Sequence, residues 1–163
     1  MMASGALVAL PSWAKEWTAD SLSFPSSVFA PAEQQLLASV VDALIPAGDS
    51  IGALSLGVDQ FLIKLFDQCY EKEIQENINH QLDQLNQTAK SVFEKDFSDC
   101  DQQQRQELLL RLASSESKNE KDFFNLIKSE TIRGFTTSRE VMVNYLHYKQ
   151  VPGHYYGCVD VKA

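Results

Sequence analysis

One long amphipathic segment constrains the fold of this chain more than any other feature. In residues 71–97, apolar side chains recur every three or four positions, and Asn, Gln, Glu and Lys fill the positions between them. A period near 3.6 with one apolar face predicts a surface helix that must bury that face against other elements. The apolar stripe consists of Ile74, Ile78, Leu82, Leu85, Ala89, Val92 and Phe93.

Two shorter helices are predicted before this segment. Pro31 suits the first turn of a helix, and Pro46 ends the apolar periodicity that follows it. Residues 47–56 contain two glycines and small polar residues, which predicts a loop. Helical spacing resumes over residues 58–70. The two apolar stripes are Leu36, Leu37, Val40, Val41, Leu44 and Ile45, then Phe61, Leu62, Leu65 and Phe66.

Three more helices are predicted after the long one. Asp99 or Asp101 can cap a fourth helix, and Thr137 or Ser138 can cap a sixth. A fifth helix is expected over residues 120–134, with a glycine at its end. The three stripes are Leu108, Leu109 and Leu112; Phe123, Phe124, Ile127 and Ile132; and Val141, Met142, Tyr145 and Leu146.

These segments predict an all-α fold, because no part of the sequence has the pattern of a strand pair. We expect a single-domain, irregular bundle of about six helices over residues 31–163, ending in a non-helical aromatic tail. Residues 15–30 are predicted to form an extended, docked linker, because they are rich in Ser, Pro and aromatic residues without a sustained period. A chain of 163 residues is long enough to bury a core without metals or disulfides.

Residues 1–14 resemble the end of an export signal. Residues 1–11 are mostly apolar and uncharged, and small residues at Ser12 and Ala14 suit cleavage after Ala14. This length is too short to span a bilayer, so we expect an exported protein rather than a membrane-anchored one. The alternative is an uncleaved apolar arm that packs on the domain or on a partner.

The sequence also excludes several classes of function. A formal charge of −8 with no cluster of Lys or Arg argues against a nucleic-acid partner. The dinucleotide, phosphate-loop, haem-attachment and zinc-protease motifs are all missing, as is a glycine-flanked nucleophilic Ser. His80 lies among polar residues, where a solvated side chain is expected. We therefore predict no catalytic residue, no metal site and no cofactor in this chain.

The C-terminal tail is the chemically distinctive segment. It concentrates aromatic and turn-forming residues after the last predicted helix, and such a surface suits partner binding. The tail could equally pack across its own domain and cover the core. A different alternative is a small metal-binding redox protein that uses His147, His154 and Cys158. The predicted partner-binding residues are Tyr145, Tyr148, Pro152, Gly153, His154, Tyr155, Tyr156 and Cys158.

The order and spacing of several short motifs resemble one family. They run from Leu44-Ile45-Pro46-Ala47 through Gly52-Ala53 and Gly57-Val58-Asp59-Gln60-Phe61-Leu62 to Phe123-Phe124, Gly134-Phe135-Thr136-Thr137-Ser138, Tyr148, Pro152-Gly153 and Gly157-Cys158. Together these motifs resemble the gluconate 2-dehydrogenase subunit 3 family over about residues 31–159.

This resemblance implies a non-catalytic small subunit of a periplasmic dehydrogenase that oxidises sugars or glycosides. The expected partner is a GMC-type catalytic subunit that holds FAD, with a cytochrome c as a further subunit of the same complex. The small subunit would stabilise the flavoprotein and assist its maturation and export. The family commonly carries a twin-arginine export signal, whereas residues 1–14 contain no arginine.

The cysteines suggest how the two subunits are joined. Three cysteines in an exported chain leave one thiol over, which favours an intermolecular bond. A continuous third helix would hold Cys69 and Cys100 more than about 30 Å apart, whereas a disulfide tolerates only about 7 Å between Cα atoms. Cys158 follows Gly157 in the tail. We therefore expect Cys158 to form a disulfide with the catalytic subunit, the alternative being a buried free thiol.

Overall fold

A computed structural model describes residues 27–149, 151 and 153, and this part of the chain is helical without a strand. The prediction of a single all-α domain is confirmed, and the six helices described are five α-helices and one π-helical turn. Residues 1–14 and most of the predicted linker lie outside the described residues. The α-helices are α1 (Pro31–Leu44), α2 (Val58–Cys69), α3 (Lys72–Phe93), α4 (Gln102–Ser114) and α5 (Lys118–Thr136). The described residues also form two 3₁₀ turns, Leu54–Leu56 and Phe97–Asp99, and a π-helical turn, Val141–Tyr145.

Helix α1 lies at the centre of the bundle and contacts every other α-helix. Its start is stabilised by the Glu33 carboxylate, which accepts a hydrogen bond of 2.6 Å from the backbone N–H of Ala30. Pro46 follows its end, where a proline cannot continue the helix. The side chains that α1 buries are Leu36, Leu37, Val40, Val41 and Ala43. Because α1 contacts all four other α-helices, these side chains belong to one continuous core.

The residues just before α1 pack on α2. Phe29 is fully buried, and its ring lies 6.3 Å from the ring of Phe66 between centroids. The backbone N–H of Val28 donates to the Asp67 carboxylate at 3.1 Å. Residues 27–30, the end of the predicted linker, are therefore docked on the bundle.

The predicted apolar stripe of α3 is wrong at both ends. Ile78, Leu82, Leu85 and Ala89 are buried, but Ile74 and Val92 are exposed. Gln75 is buried instead of Ile74. Its amide donates to the backbone carbonyls of Phe66 (2.8 Å) and Tyr70 (3.0 Å), which the end of α2 leaves without helical partners. A polar side chain therefore occupies the core position at this tight turn.

Helix α3 also ends earlier than predicted. It stops at Phe93, because Glu94 adopts a left-handed backbone conformation with φ of 57°. The Asn86 side chain then holds the chain after the helix: it accepts from the backbone N–H of Phe97 at 2.8 Å and donates to the Asp96 carboxylate at 2.8 Å. Hydrogen bonds from Lys90 and then Asn86 lower the pKa of Asp96. Phe97 is therefore buried in a separate turn rather than in the helix.

The last two helical elements differ from their predictions as well. Helix α5 extends two residues beyond Gly134, and it buries Thr131 while Ile132 is exposed. The predicted sixth helix is a π-helical turn, in which the N–H of Leu146 donates to the carbonyl of Val141. A π turn is wider than an α-helix, so side chains spaced for an α-helix do not share a face. Of the predicted stripe, only Val141 is buried.

The guanidinium of Arg105 joins α4 to both α1 and the turn after α3. It contacts the Asp42 carboxylate at 3.1 Å and donates to the carbonyls of Phe97 (3.3 Å) and Ser98 (2.6 Å). The Arg105 side chain is largely shielded from solvent, unlike that of Arg111, which forms an exposed pair with Glu107 one turn along the same helix. Shielded hydrogen bonds to charged groups contribute more to stability than exposed pairs.

Replacing each arginine with methionine tests this difference. Arg105→Met leaves Asp42 and two backbone carbonyls without their donor, so we expect it to lower the free energy of unfolding by about 2 kcal/mol. Arg111→Met should change that free energy by no more than about 0.5 kcal/mol. Urea unfolding followed by circular dichroism measures both variants. Equal losses would contradict a central role for Arg105.

Candidate partner-binding surface

The described part of the tail presents five exposed apolar side chains within nine residues. Tyr145 is 55% exposed, Tyr148 is 53% exposed and Val151 is 84% exposed. Val143 and Leu146 are exposed as well. Large apolar groups concentrated on a surface mark sites of interaction. Tyr145 and Tyr148 therefore lie at the surface in the described part of the tail, whereas most of the segment that could close the domain's own core lies outside the described residues.

The backbone under these side chains is held by local hydrogen bonds. Ser138 accepts from the N–H of Val141 at 3.3 Å, and the N–H of Tyr148 donates to the carbonyl of Met142 at 2.8 Å. His147 between the two tyrosines has φ of 51°, in the left-handed region. A backbone that is already ordered lowers the conformational entropy lost on binding. The tail can thus present apolar groups to a partner at modest cost.

The structure describes three of the predicted partner-binding residues: Tyr145, Tyr148 and Gly153, all exposed. The other five lie outside the described residues, namely Pro152, His154, Tyr155, Tyr156 and Cys158. The alternative metal set is likewise described only at His147, which is exposed. Within residues 27–149, 151 and 153, no group of three His, Cys, Asp or Glu side chains could hold a metal ion.

The start of α2 lies against the end of α5, close to where the tail begins. A Cβ added to Gly134 would lie 2.8 Å from Cδ1 of Phe61 and 3.1 Å from Cγ1 of Val58, so the two helices meet at this glycine. The Arg133 guanidinium lies 5.9 Å from the centroid of the Phe61 ring. Phe61 is half exposed here, although its helical spacing predicted an inward position. Sequence periodicity could not indicate the exposure of Phe61, because that exposure depends on where α5 ends.

The described cysteines are both free thiols. Cys69 is exposed at the end of α2, and Cys100 is buried before α4. Burial raises the pKa of the Cys100 thiol, which therefore stays protonated at neutral pH. The two are not bonded to each other, in agreement with the separation that α3 imposes. The predicted bond of Cys158 lies outside the described residues.

None of the helices in the described ranges is long and apolar enough to cross a membrane.

The family model for gluconate 2-dehydrogenase subunit 3 matches residues 31–153, which is most of the chain and nearly all of the helical bundle. The chain belongs to the gluconate 2-dehydrogenase subunit 3 family. No curated protein and no solved structure matches it.

Several of the motif residues singled out in the sequence of this subunit 3 chain lie in the loop between α1 and α2 and shape it. A Cβ on Gly52 would lie 2.5 Å from the backbone nitrogen and 2.8 Å from Cα of Ala47, so only glycine fits this crossing. Gly57 has φ of 67° and starts α2 in a left-handed conformation. The Ala53 N–H closes the loop by donating to the Ile45 carbonyl at 3.0 Å. These motif residues therefore have a structural role in the described fold.

Two glycine substitutions in this loop test that role. Gly52→Ala forces a methyl group against the Ala47 backbone, and we expect it to lower the free energy of unfolding by about 1–3 kcal/mol. Gly48→Ala is the matched control, because nothing lies within 4 Å of the Cβ that it adds. The control should change stability by less than about 0.5 kcal/mol. Thermal unfolding compares the two variants, and a Gly52→Ala protein as stable as the control would show that the crossing is not tight.

Proposed function

We propose that this protein is the non-catalytic small subunit of a periplasmic, FAD-dependent sugar or glycoside dehydrogenase. Its role is to stabilise the flavoprotein catalytic subunit and to support its maturation and export. Family membership supports the assignment as a small subunit, since the family is named as subunit 3 of a dehydrogenase. The exposed apolar tail supports the role in stabilising the catalytic subunit, because it provides a surface for that subunit.

The chemistry of the complex is assigned to its partner. The sequence has no glycine-rich dinucleotide loop and no haem-attachment motif. A GMC-type subunit would therefore hold the FAD and oxidise the substrate, and a cytochrome c subunit would accept the electrons. The small subunit contributes binding surface rather than reacting groups.

The tail is the proposed contact with the catalytic subunit. Tyr145 and Tyr148 offer rings that can be buried and hydroxyl groups that can find polar partners, a combination enriched at interfaces. Cys158 lies ten residues after Tyr148 in the same tail, where a disulfide to the catalytic subunit would lock the contact in an oxidising periplasm. The signal-like residues 1–14 support the periplasmic location.

Removing the two tyrosines tests the interface. The double variant Tyr145→Ser, Tyr148→Ser should fold normally, because both side chains are exposed, and should weaken co-purification of the flavoprotein by at least about tenfold. The matched control is Leu110→Ser with Ile132→Ser, since Leu110 on α4 is 68% exposed and Ile132 on α5 is also exposed. The measurement is the yield of flavin-containing partner recovered from the native host with each tagged variant, under reducing conditions that would break a disulfide of Cys158.

Retention of the partner by the tyrosine variant, or equal loss in the control, would place the interface elsewhere. Circular dichroism of both variants checks that they are folded, so that a loss of binding can be distinguished from a loss of structure.

A further inference from the structure

A second surface, separate from the tail, lies between α3 and α5. There the start of α3 lies near the end of α5, since the Tyr70 hydroxyl before α3 donates to the Glu130 carboxylate late in α5 at 3.2 Å. Nearer the start of α5, side chains of the two helices line a groove of about 730 Å³. We call this the α3–α5 groove. On α3 it extends from Glu73 to His80, a distance of about 10 Å along the helix.

The floor of the α3–α5 groove is apolar. Phe123 is buried at its base, Leu126 is half-buried and Ile74 is exposed to solvent. Ile74 was expected in the core from its helical spacing. Its displacement follows from Gln75, which takes the core position at the turn from α2. An apolar side chain from a partner could therefore gain burial here.

The rim of the groove is acidic. Glu73 and Glu76 lie on the α3 side and Asp122 lies on the α5 side, whereas no lysine or arginine lines the groove. The three carboxylates are exposed and form no salt bridge with any described residue. A cationic side chain placed between them would meet attraction from both sides.

Three asparagines supply a further kind of contact. Asn77, Asn119 and Asn125 line the groove, and within the described residues none of their amides takes part in a side-chain hydrogen bond. Asn86 on α3 differs, because its amide is used in holding the turn after the helix. An asparagine amide presents both donors and an acceptor, which matches the N–H and C=O of an extended backbone. In a helical ligand those N–H and C=O groups already form hydrogen bonds with each other, so they are not available to the asparagine amides.

We propose that the α3–α5 groove binds an extended segment of a partner protein that carries lysine or arginine and one apolar side chain. The carboxylates receive the cations, the asparagines pair with the backbone, and the apolar side chain covers Ile74 and Leu126.

The groove and the described part of the tail are separate surfaces. The groove uses residues 119–126 near the start of α5, whereas the tail follows Thr136 at its end, at least about 15 Å along the helix. The inference therefore does not depend on the proposed function. The Tyr145→Ser, Tyr148→Ser variant should bind a groove peptide as the natural protein does.

A labelled peptide tests the groove directly. The probe is a peptide of about ten residues in which Lys alternates with Val and Thr, titrated with the full chain and followed by fluorescence polarisation. Neutralising the rim with Glu73→Gln, Glu76→Gln and Asp122→Asn should weaken binding by about tenfold. The matched control, Asp49→Asn, Asp83→Asn and Glu116→Gln, removes the same charge from exposed positions outside the groove and should change binding less than about twofold.

Two further comparisons separate specific recognition from general attraction to an acidic protein. Asn77→Ala with Asn125→Ala leaves the charge unchanged and should weaken binding about tenfold. A Lys-, Ala- and Leu-containing peptide of the same charge that forms a helix should bind about tenfold more weakly than the extended peptide. Equal loss in the rim and control triples, equal binding of the two peptides, or no binding by the natural chain would each overturn the proposal.

Discussion

The guanidinium of Arg105 sets the arrangement on which the rest of the bundle depends. It connects α4 to Asp42 on α1 and to the two carbonyls of the turn after α3, so three elements share one donor group. Asn86 holds the same turn from the side of α3. With the path from α3 to α4 set in this way, α5 packs against α4 and α2, and its end determines where the tail emerges.

The interior and the surface of this chain have different chemistry. The core is apolar apart from Gln75, Gln81 and Thr131, and the Gln75 amide donates to the carbonyls at the end of α2. The surface instead exposes Tyr145, Tyr148 and Val151 beside an ordered backbone. Exposed apolar groups cost solubility unless a partner covers them. This distribution supports the proposed role of a small subunit that binds another protein.

Periodicity in the sequence was sufficient to predict α1 to α5, because each helix buries enough apolar side chains at regular spacing to dominate its pattern. It failed where a tertiary contact decided the outcome. Gln75 took the position expected for Ile74 because the end of α2 needed donors, and the π turn after α5 broke the stripe expected through Tyr145. The exposure of the tail tyrosines and the α3–α5 groove both arise from these departures, so neither could be predicted from spacing alone.

The proposed function requires that this chain serve a flavin-containing catalytic subunit without binding flavin itself. Native mass spectrometry, combined with an absorption spectrum, tests this on the purified subunit and on the complex isolated from its host. We expect a subunit without flavin absorbance and a complex that contains this chain, a larger subunit and FAD. Stoichiometric FAD on the isolated subunit, or a native host in which the chain has no flavoprotein partner, would contradict it.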